Sequence, residues 1–281
     1  MEGRYEFGKR EIEAFSPEAK IGLLATVSPE GLPHVTLITS LMAKGTDKVI
    51  WGQFCEGRSK EHVLANPKTG WLVLTREREL WRGTALWRGT ATHGEDYEAF
   101  NDKPMFRYNA YFGIHTVHYM DLVAHTGEQG LPLGRILAAS ALTFLGRGAV
   151  AGKTRNPALK PWAYGFLNKP ATLAFAAWVR DDGHPWIVPL VQCQAASPSR
   201  LAFSPVAFAE ELSGLAAGRF VSVFALSFTM ESVLVRGAFG GFAKHRGATL
   251  GTIDIGWVYN SMPPKQGQVY PMPELQPVRE F

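Results

Sequence analysis

Short apolar runs rich in β-branched residues recur along the first 125 positions, and turn sequences separate them. Such runs predict β-strands, and Pro29 and Gly31 suit the first turn because proline fixes φ and glycine accepts a positive φ. Helices are predicted over residues 9–15 and over residues 59–64, the second ending before Pro67. The predicted strands span residues 22–27, 34–41, 48–54, 71–76, 80–92 and 114–123. We expect them to close into a small barrel, which leaves no exposed sheet edge.

The middle of the chain has a different pattern. Residues 133–144 place apolar side chains at helical spacing, and Gly146 and Gly148 mark the end of that helix. Residues 154–170 are rich in proline, lysine and aromatic side chains, which predicts a helix and an extended crossover. The predicted division is a first barrel, a helical or extended linker and a second barrel, at residues 1–125, 126–169 and 170–281.

The turn and strand pattern of the first part returns 152 residues later, so that Gly31 corresponds to Gly183. The LWRGTA motif at residues 86–91 aligns with Leu234 onward only at an offset of 148, which requires a hairpin four residues shorter. Few residues are identical, so chance similarity is one explanation and a degenerate internal duplication is the other. The constant offset favours duplication. The predicted fold class is therefore mainly β, with two similar barrels in tandem that form a pseudo-dimer.

Composition excludes several classes of protein. The net charge is +4 and the basic residues are dispersed, so we expect no nucleic-acid partner. The longest strongly apolar stretch, residues 136–145, is too short to cross a membrane. Two cysteines, Cys55 and Cys193, make no disulfide framework, and we expect buried free thiols in a reducing compartment. With no apolar leader pattern at the start of the sequence, we expect a cytoplasmic protein.

The segment WGQFCEGRSKEHVLANP, residues 51–67, carries a candidate anion site. A strand is followed by Arg58, Ser59 and Lys60 at the start of a short helix. Two cations, a hydroxyl and the free N–H groups of a helix N-terminus are suited to binding a phosphate. The alternative is a serine that caps the helix, with two solvated surface cations beside it.

These segments together resemble the FMN-binding split-barrel family related to pyridoxamine 5′-phosphate oxidase. The resemblance rests on LLATVSPEGLPHVTLIT, on the RSK element followed by a helix and Asn-Pro, and on WLVLT and LWRGTA, in that order over about residues 10–125. Residues 170–281 resemble the same barrel more faintly. The family implies split barrels that dimerise, with FMN held at the subunit interface.

The resemblance also implies which residues bind FMN. The phosphate-binding element of the family falls on Arg58, Ser59 and Lys60. The second strand and the end of the next strand, which contact the flavin, fall on Thr36, Leu37, Ile38, Thr39, Gly52 and Gln53. Ordinary strand threonines and an exposed glutamine at a strand end are the alternatives for these positions. Hydroxyl and backbone groups at such an edge would tune the electronics of the flavin ring.

The sequence departs from the oxidase in ways that limit the function. Thr36 and Leu41 stand where the oxidase has an Arg and a Lys for its substrate, so we do not expect oxidation of pyridoxamine phosphate. The 152-residue offset carries the RSK element onto Glu210, Glu211 and Leu212. Carboxylates repel a phosphate dianion. We therefore expect one FMN per chain, bound through the first barrel.

Other residues have both a functional and a packing interpretation. Five of them lie before or on the last predicted strand and either contact substrate or pack in the core: Arg107, Tyr108, His115, His118 and Tyr119. Trp257 matches Tyr119 at an offset of 138 and either lines the flavin or packs. Side chains three apart on a strand point to opposite faces, so we expect no metal site at His115 and His118. No nucleophile elbow, P-loop or GxGxxG motif occurs.

The sequence thus predicts an FMN-binding flavoprotein, an oxidoreductase that passes a hydride between flavin and a small substrate, with NAD(P)H as a candidate donor. A flavin needs no catalytic triad beside it, and no catalytic residue is assigned. The alternatives are a non-enzymatic flavin carrier or sensor, and a split barrel that binds haem or a deazaflavin. Further homodimerisation of the pseudo-dimer is left open.

Overall fold

The computed structural model describes residues 3–17, 19–103, 113–152, 157–245, 247–261 and 267–272. The chain divides into two compact units. Unit 1 comprises Met1–Leu131 and Val179–Ile187, and unit 2 comprises Pro132–Trp178 and Val188–Phe281. Two eight-stranded sheets dominate the structure, and their paired strands run antiparallel. The predicted fold class, two split β-barrels in tandem, is confirmed.

The first sheet has the strand order β2-β1-β5-β6-β7-β4-β3, with β8 paired to β6. Its elements are α1 (Lys9–Phe15), β1 (Ile21–Val27), β2 (Pro33–Leu37), β3 (Met42–Lys44), β4 (Lys48–Gln53), α2 (Arg58–Ala65), β5 (Lys68–Leu74), β6 (Glu79–Ala91), α3 (Glu95–Asp102), β7 (Thr116–His125) and β8 (Gln129–Gly130). The strand predicted over residues 34–41 is shorter than expected, because the chain leaves the sheet after Leu37.

Aromatic side chains fill the core of unit 1. Trp51, Trp71 and Trp81 are fully buried, and Phe15 of α1 meets the last two edge-on at 5.6 and 5.4 Å. Gly83 on β6 is needed for this packing, since a Cβ there would lie 2.4 Å from the ring of Trp71. The core therefore ties helix α1 to the sheet that carries the candidate site.

The second sheet repeats the order of the first, as β10-β9-β13-β14-β15-β12-β11 with β16 on β15. The remaining elements are α4 (Leu133–Val150), α5 (Pro161–Leu167), β9 (Leu173–Val179), β10 (Pro185–Pro189), β11 (Gln194–Ser197), β12 (Arg200–Phe203), a 3₁₀ turn (Pro205–Phe208), α6 (Ala209–Ser213), β13 (Phe220–Leu226), β14 (Ser232–His245), β15 (Ala248–Asn260) and β16 (Gly267–Tyr270). A repeated topology is what an internal duplication predicts.

The register corrects one part of the predicted repeat. Leu74 pairs with Leu80 in the first sheet, and Leu226 pairs with Ser232 in the second. Both hairpins therefore have the same length, and the offset of 152 continues into β14. The predicted offset of 148 for LWRGTA is wrong, because the hairpin before β14 is as long as the hairpin before β6 and therefore does not change the offset.

The offset changes only after β6. Helix α3 lies between β6 and β7, whereas only two residues separate β14 from β15. Asp121 on β7 forms an ion pair with Lys48, and Asp254 on β15 forms one with Arg200. Each residue of β7 that pairs with β4 therefore corresponds to the residue 133 positions later on β15. The counterpart of Tyr119 is consequently Thr252, and the predicted match of Tyr119 with Trp257 is wrong.

Helix α4 runs to Val150, further than the predicted end at residue 144. Gly146 does not end it; a Cβ at that position would lie 2.7 Å from Leu250, so the glycine lets the helix pack against β15. Within the described parts of the chain, α4 is the one helix long and apolar enough to cross a membrane by length and composition. Its side chains at Ile136, Ala139 and Thr143 are buried within unit 2.

Candidate functional site

Four residues separate the end of β4 from the start of helix α2, and a buried histidine fixes this helix to the sheet. His62 Nδ1 lies 3.1 Å from Thr26 Oγ1 on β1, and the His62 ring meets His34 of β2 edge-on at 5.1 Å. Val63 is buried beside it. These contacts fix the position of the N-terminus of α2, where the RSK element lies.

Ser59 is the unusual residue of that element. Its side chain is 1 % exposed, and its hydroxyl has no hydrogen-bond partner among the described residues. Gly57 occupies the N-cap position, so the alternative of Ser59 as the helix cap is wrong. A buried hydroxyl without a partner costs about 1–3 kcal/mol. A ligand oxygen that accepted this hydrogen bond would remove that cost.

The two cations of the element lie in different surroundings. Arg58 is exposed, whereas Lys60 is partly buried with its Nζ 5.9 Å from the centre of the Trp51 ring. Burial lowers the pKa of Lys60, and the charges of Cys55 and Glu56 oppose that shift. An ammonium that has lost water favours an anionic neighbour, because interactions between charges are stronger at low dielectric. Lys60 is thus the better placed of the two to hold a phosphate.

A serine between β2 and β3 links the two predicted flavin-contacting segments. Ser40 Oγ donates to the Gly52 carbonyl oxygen at 2.8 Å and accepts from the Gly52 N–H at 3.1 Å. Gly52 has no room for a side chain, since a Cβ would lie 2.2 Å from Ile114 Cδ1. The chain following β2 is therefore held against the end of β4.

The predicted residues on and after β2 differ in exposure. Thr36, Leu37 and Thr39 are partly exposed, whereas the Ile38 side chain is buried and its N–H donates to the Gly22 carbonyl oxygen at 2.7 Å. β2 ends one path of the sheet, so it presents an edge, which corrects the expectation that the barrel leaves no exposed edge. Backbone groups on such an edge are suited to pairing with a planar ligand that has both donors and acceptors.

A buried polar cluster lies at the end of β4. The ring of His118 on β7 stacks on Trp51, with the ring centres 3.7 Å apart and a 7° angle between the planes. His118 Nε2 is 2.7 Å from Gln53 Oε1, and Trp87 Nε1 donates to His118 Nδ1 at 3.2 Å. Gln53 Nε2 donates to Glu56 Oε1 at 3.1 Å. Gln53 is buried, so the alternative of an exposed strand end is wrong.

The surroundings of His118 keep its ring neutral. Burial lowers its pKa to about 3, and the charges of Lys60 and His115 act in the same direction. Sequence reasoning named Gln53 and His118 separately but missed their pairing and the roles of Trp87 and Glu56. The alternation along β4, which puts Trp51 and Gln53 on one face, was the available signal.

The other candidate residues of the first barrel have no side-chain hydrogen bond to this cluster among the described contacts or lie outside the described residues, although the His115 N–H donates to the Gln53 carbonyl oxygen at 3.1 Å. Tyr119 packs between β4 and α3, where its hydroxyl donates to Asp96 at 2.8 Å, and burial with this hydrogen bond raises its pKa to about 12. His115 is exposed beside Thr116. Arg107 and Tyr108 lie outside the described residues.

Trp257 packs against neighbouring side chains of unit 2, and the two cysteines differ in exposure. In unit 2, Trp257 stacks on Tyr259 at 5.3 Å, and Arg236 lies 4.4 Å from the centre of its ring. Cys193 is buried and free, but Cys55 is exposed, which corrects the prediction that both thiols are buried. No group of three or more potential metal ligands occurs in the part of the chain that the structure describes.

Unit 2 lacks the features of the candidate phosphate site. Glu210 and Leu212 lie on α6, which has only five residues, and the Leu212 side chain is fully buried. Ser204 takes the position of Gly52, and its N–H donates to Thr143 Oγ1 of α4 at 2.8 Å. Helix α4 therefore accepts from the N–H at this strand end, while Gln192, the counterpart of Ser40, donates to the Ser204 carbonyl oxygen at 2.7 Å. Leu212 stands at the position of Lys60.

Comparison with known proteins identifies the first barrel. Residues 9–134 match the family model described as pyridoxamine 5′-phosphate oxidase. This part, which is less than half of the chain, is similar to that family. The resemblance found in the sequence is thus confirmed for unit 1, and the match ends where α4 begins. No curated protein matches the chain significantly.

Several solved structures are similar to less than half of the chain. An FMN-binding protein from Syntrophomonas wolfei is 14 % identical, with 42 % of this chain and 83 % of that chain covered and a TM-score of 0.37. HupZ from Group A Streptococcus is 16 % identical, with coverages of 42 % and 91 % and a TM-score of 0.36. An F420 reductase is 17 % identical, with coverages of 43 % and 98 % and a TM-score of 0.34.

Proposed function

We propose that the chain is an FMN-binding flavoprotein and an oxidoreductase that acts on a small substrate. The observation that carries the proposal is the buried hydroxyl of Ser59, which lacks a partner among the described residues at the start of a helix that also holds Lys60. A phosphate oxygen would accept from this hydroxyl, and the phosphate charge would offset the desolvation of the ammonium. Arg58, at the exposed edge of the element, adds a second cation.

The ring system of FMN would lie against the two segments that Ser40 joins. Thr36, Leu37 and Thr39 are partly exposed at the edge and would contact the ring, and Ile38 would hold this segment to β1 through the bond of its N–H to Gly22. At the end of β4, Gly52 would keep the strand against Ser40, and Gln53 would offer its amide. When bound, the flavin supplies a centre that accepts and passes a hydride. The chain's part is to bind and orient it, and no side chain of the cluster is assigned a catalytic role.

We further propose one FMN per chain, bound through unit 1. Glu210, Glu211 and Leu212 would not hold a phosphate, because two carboxylates repel the phosphate charge and the buried Leu212 side chain replaces the ammonium of Lys60. The substrate, the use of NAD(P)H, the pseudo-dimer and any further homodimer remain predictions. Thr36 and Leu41, in place of the cationic residues of the oxidase, argue against pyridoxamine phosphate as the substrate.

Titration with FMN and with riboflavin, which lacks the phosphate, tests the site. We expect wild-type protein to bind FMN more tightly than riboflavin. Lys60→Ala should weaken FMN binding by about tenfold or more while leaving riboflavin binding nearly unchanged, because a charge-assisted hydrogen bond contributes about 1.5–3 kcal/mol. Lys9→Ala, which removes an exposed cation on α1, is the matched control. Equal affinity for both ligands, or an unchanged FMN affinity in Lys60→Ala, would refute the site.

A non-enzymatic flavin carrier is the second candidate, because no catalytic group is assigned. Reduction of the bound flavin by NAD(P)H, followed by turnover of an acceptor, separates an oxidoreductase from a carrier. The visible spectrum of the purified protein separates both from a barrel that binds haem or a deazaflavin.

A further inference from the structure

The hydrogen bonds of His118 determine which of its nitrogens carries the proton. The indole nitrogen of Trp87 is a donor only, so His118 Nδ1, 3.2 Å away, must accept. In a neutral ring the other nitrogen then carries the hydrogen. His118 Nε2 therefore donates to the side-chain amide of Gln53 at 2.7 Å.

The same reasoning fixes the orientation of the Gln53 amide. Its oxygen must face His118 Nε2–H, since an amide nitrogen cannot accept that bond. Its nitrogen then faces Glu56, whose carboxylate oxygen accepts at 3.1 Å. Flipping the amide would set two donors against each other at His118 and two acceptors against each other at Glu56. Trp87 thus donates to His118, His118 donates to Gln53, and Gln53 donates to Glu56. We call these four residues the relay.

We propose that the relay positions Gln53 so that it presents an amide N–H, and not a carbonyl oxygen, to the flavin. An amide nitrogen carries two hydrogens, and only the bond to Glu56 uses one of them among the described contacts. Trp87 and His118 act as positioning residues, and the stack of His118 on Trp51 keeps the ring in place. This inference rests on the proposed FMN site.

The relay has a consequence for specificity. A donor at Gln53 requires an acceptor on the ligand, such as a carbonyl oxygen or an unprotonated ring nitrogen of the flavin pyrimidine. A ligand with an N–H at that position would leave two donors opposed in a buried site, which is costly. The Gln53 N–H would therefore determine which edge of the flavin pyrimidine ring faces the end of β4.

The first test uses the flavin-free protein and nuclear magnetic resonance of the His118 ring nitrogens. At neutral pH we expect hydrogen on Nε2 and none on Nδ1. In Trp87→Phe alone, the bond to Gln53 should keep the hydrogen on Nε2. In the double variant Trp87→Phe/Glu56→Gln, which also frees the Gln53 amide to flip, the two tautomers should mix. A hydrogen on Nδ1 in the wild-type protein, or an unchanged tautomer in the double variant, would overturn the relay.

The second test measures FMN affinity in His118 variants. A glutamine places its amide nitrogen near the position of Nε2, so His118→Gln keeps the donor to Gln53 and should bind FMN within about twofold of wild type. His118→Phe keeps an aromatic ring against Trp51 but loses the donor, and we expect about tenfold weaker binding, the effect of about 1.4 kcal/mol. Equal affinities of the two variants, whether strong or weak, would overturn the positioning role.

Failure of the relay can be distinguished from failure of the proposed function. If wild-type protein binds no FMN, the proposed site is wrong, and the resonance experiment alone decides the orientation of Gln53. If wild-type protein binds FMN and Lys60→Ala weakens it while the two His118 variants bind alike, the phosphate site stands and the relay is refuted.

Discussion

Replacing Gly52 with alanine would put a methyl group into a space that Ile114 already fills. The added Cβ would lie 2.2 Å from Ile114 Cδ1, 2.9 Å from Cγ1 and 3.0 Å from Cγ2. Carbon atoms do not approach this closely, so Ile114 or the end of β4 must move. Overpacking of a buried site costs about 1–3 kcal/mol, and we expect Gly52→Ala to lower the free energy of unfolding by that amount.

A second substitution tests whether the clash is the cause. Ile114→Val removes the Cδ1 atom that lies closest and by itself should cost about 0.5–1.5 kcal/mol. In the double variant the two losses should not add; we expect the sum of the single effects to exceed the combined effect by about 1 kcal/mol. Gly89→Ala is the matched control on β6, since nothing lies within 4 Å of a Cβ there.

Urea unfolding followed by tryptophan fluorescence and circular dichroism measures these free energies. Gly89→Ala should stay within about 0.5 kcal/mol of wild type. The reasoning fails if Gly52→Ala is as stable as Gly89→Ala, or if the effects of Gly52→Ala and Ile114→Val simply add. In either case the glycine would not be required by the Ile114 side chain, and the close packing at the end of β4 would be described wrongly.

Three further predictions concern single ionisable groups. The Tyr119 pKa of about 12 exceeds the unfolded value of about 10, so its contribution to the free energy of unfolding should be lost as pH rises from about 10 to about 12. Asp96→Asn should lower the pH at which the Tyr119 phenolate forms, measured by an absorbance titration. The His118 pKa of about 3 lies below the unfolded value of about 6.5, so the free energy of unfolding should fall as pH drops through this range, and His118→Phe should reduce that dependence in urea titrations. A chromogenic thiol reagent should modify only Cys55 in the folded protein. Cys193 should react only after denaturation, because burial hides its thiol and raises the pKa of Cys193 to about 12. The folded Cys55→Ser variant should therefore show no fast reaction.

Local sequence patterns predict the strands and turns of the first barrel well, because turn residues and apolar runs act over a few positions. The turn at Gly31 has the expected positive φ of 76°. The long strand predicted over residues 80–92 is also present, as β6 (Glu79–Ala91). The early end of β2 was not predictable from local pattern, and the segment after it bonds through Ser40 to Gly52, twelve positions away.

The predicted matches between the two units are wrong where tertiary structure, and not local pattern, determines which residue of unit 1 corresponds to which residue of unit 2. Aromatic similarity linked Tyr119 to Trp257, but α3 is present only in unit 1 and shifts the offset from there on. The burial of Ser59, two positions after the N-cap Gly57, could not be predicted from RSK alone. The relay depends on cross-strand contacts between β4, β6 and β7, and a sequence gives no register for such contacts.

The most direct test of the account is a titration of the purified, flavin-free chain with FMN, followed by its visible spectrum. The account predicts saturation at one FMN per chain, with affinity that falls in Lys60→Ala and is retained in Lys9→Ala. No change in the flavin spectrum on mixing, or saturation near two FMN per chain, would contradict it.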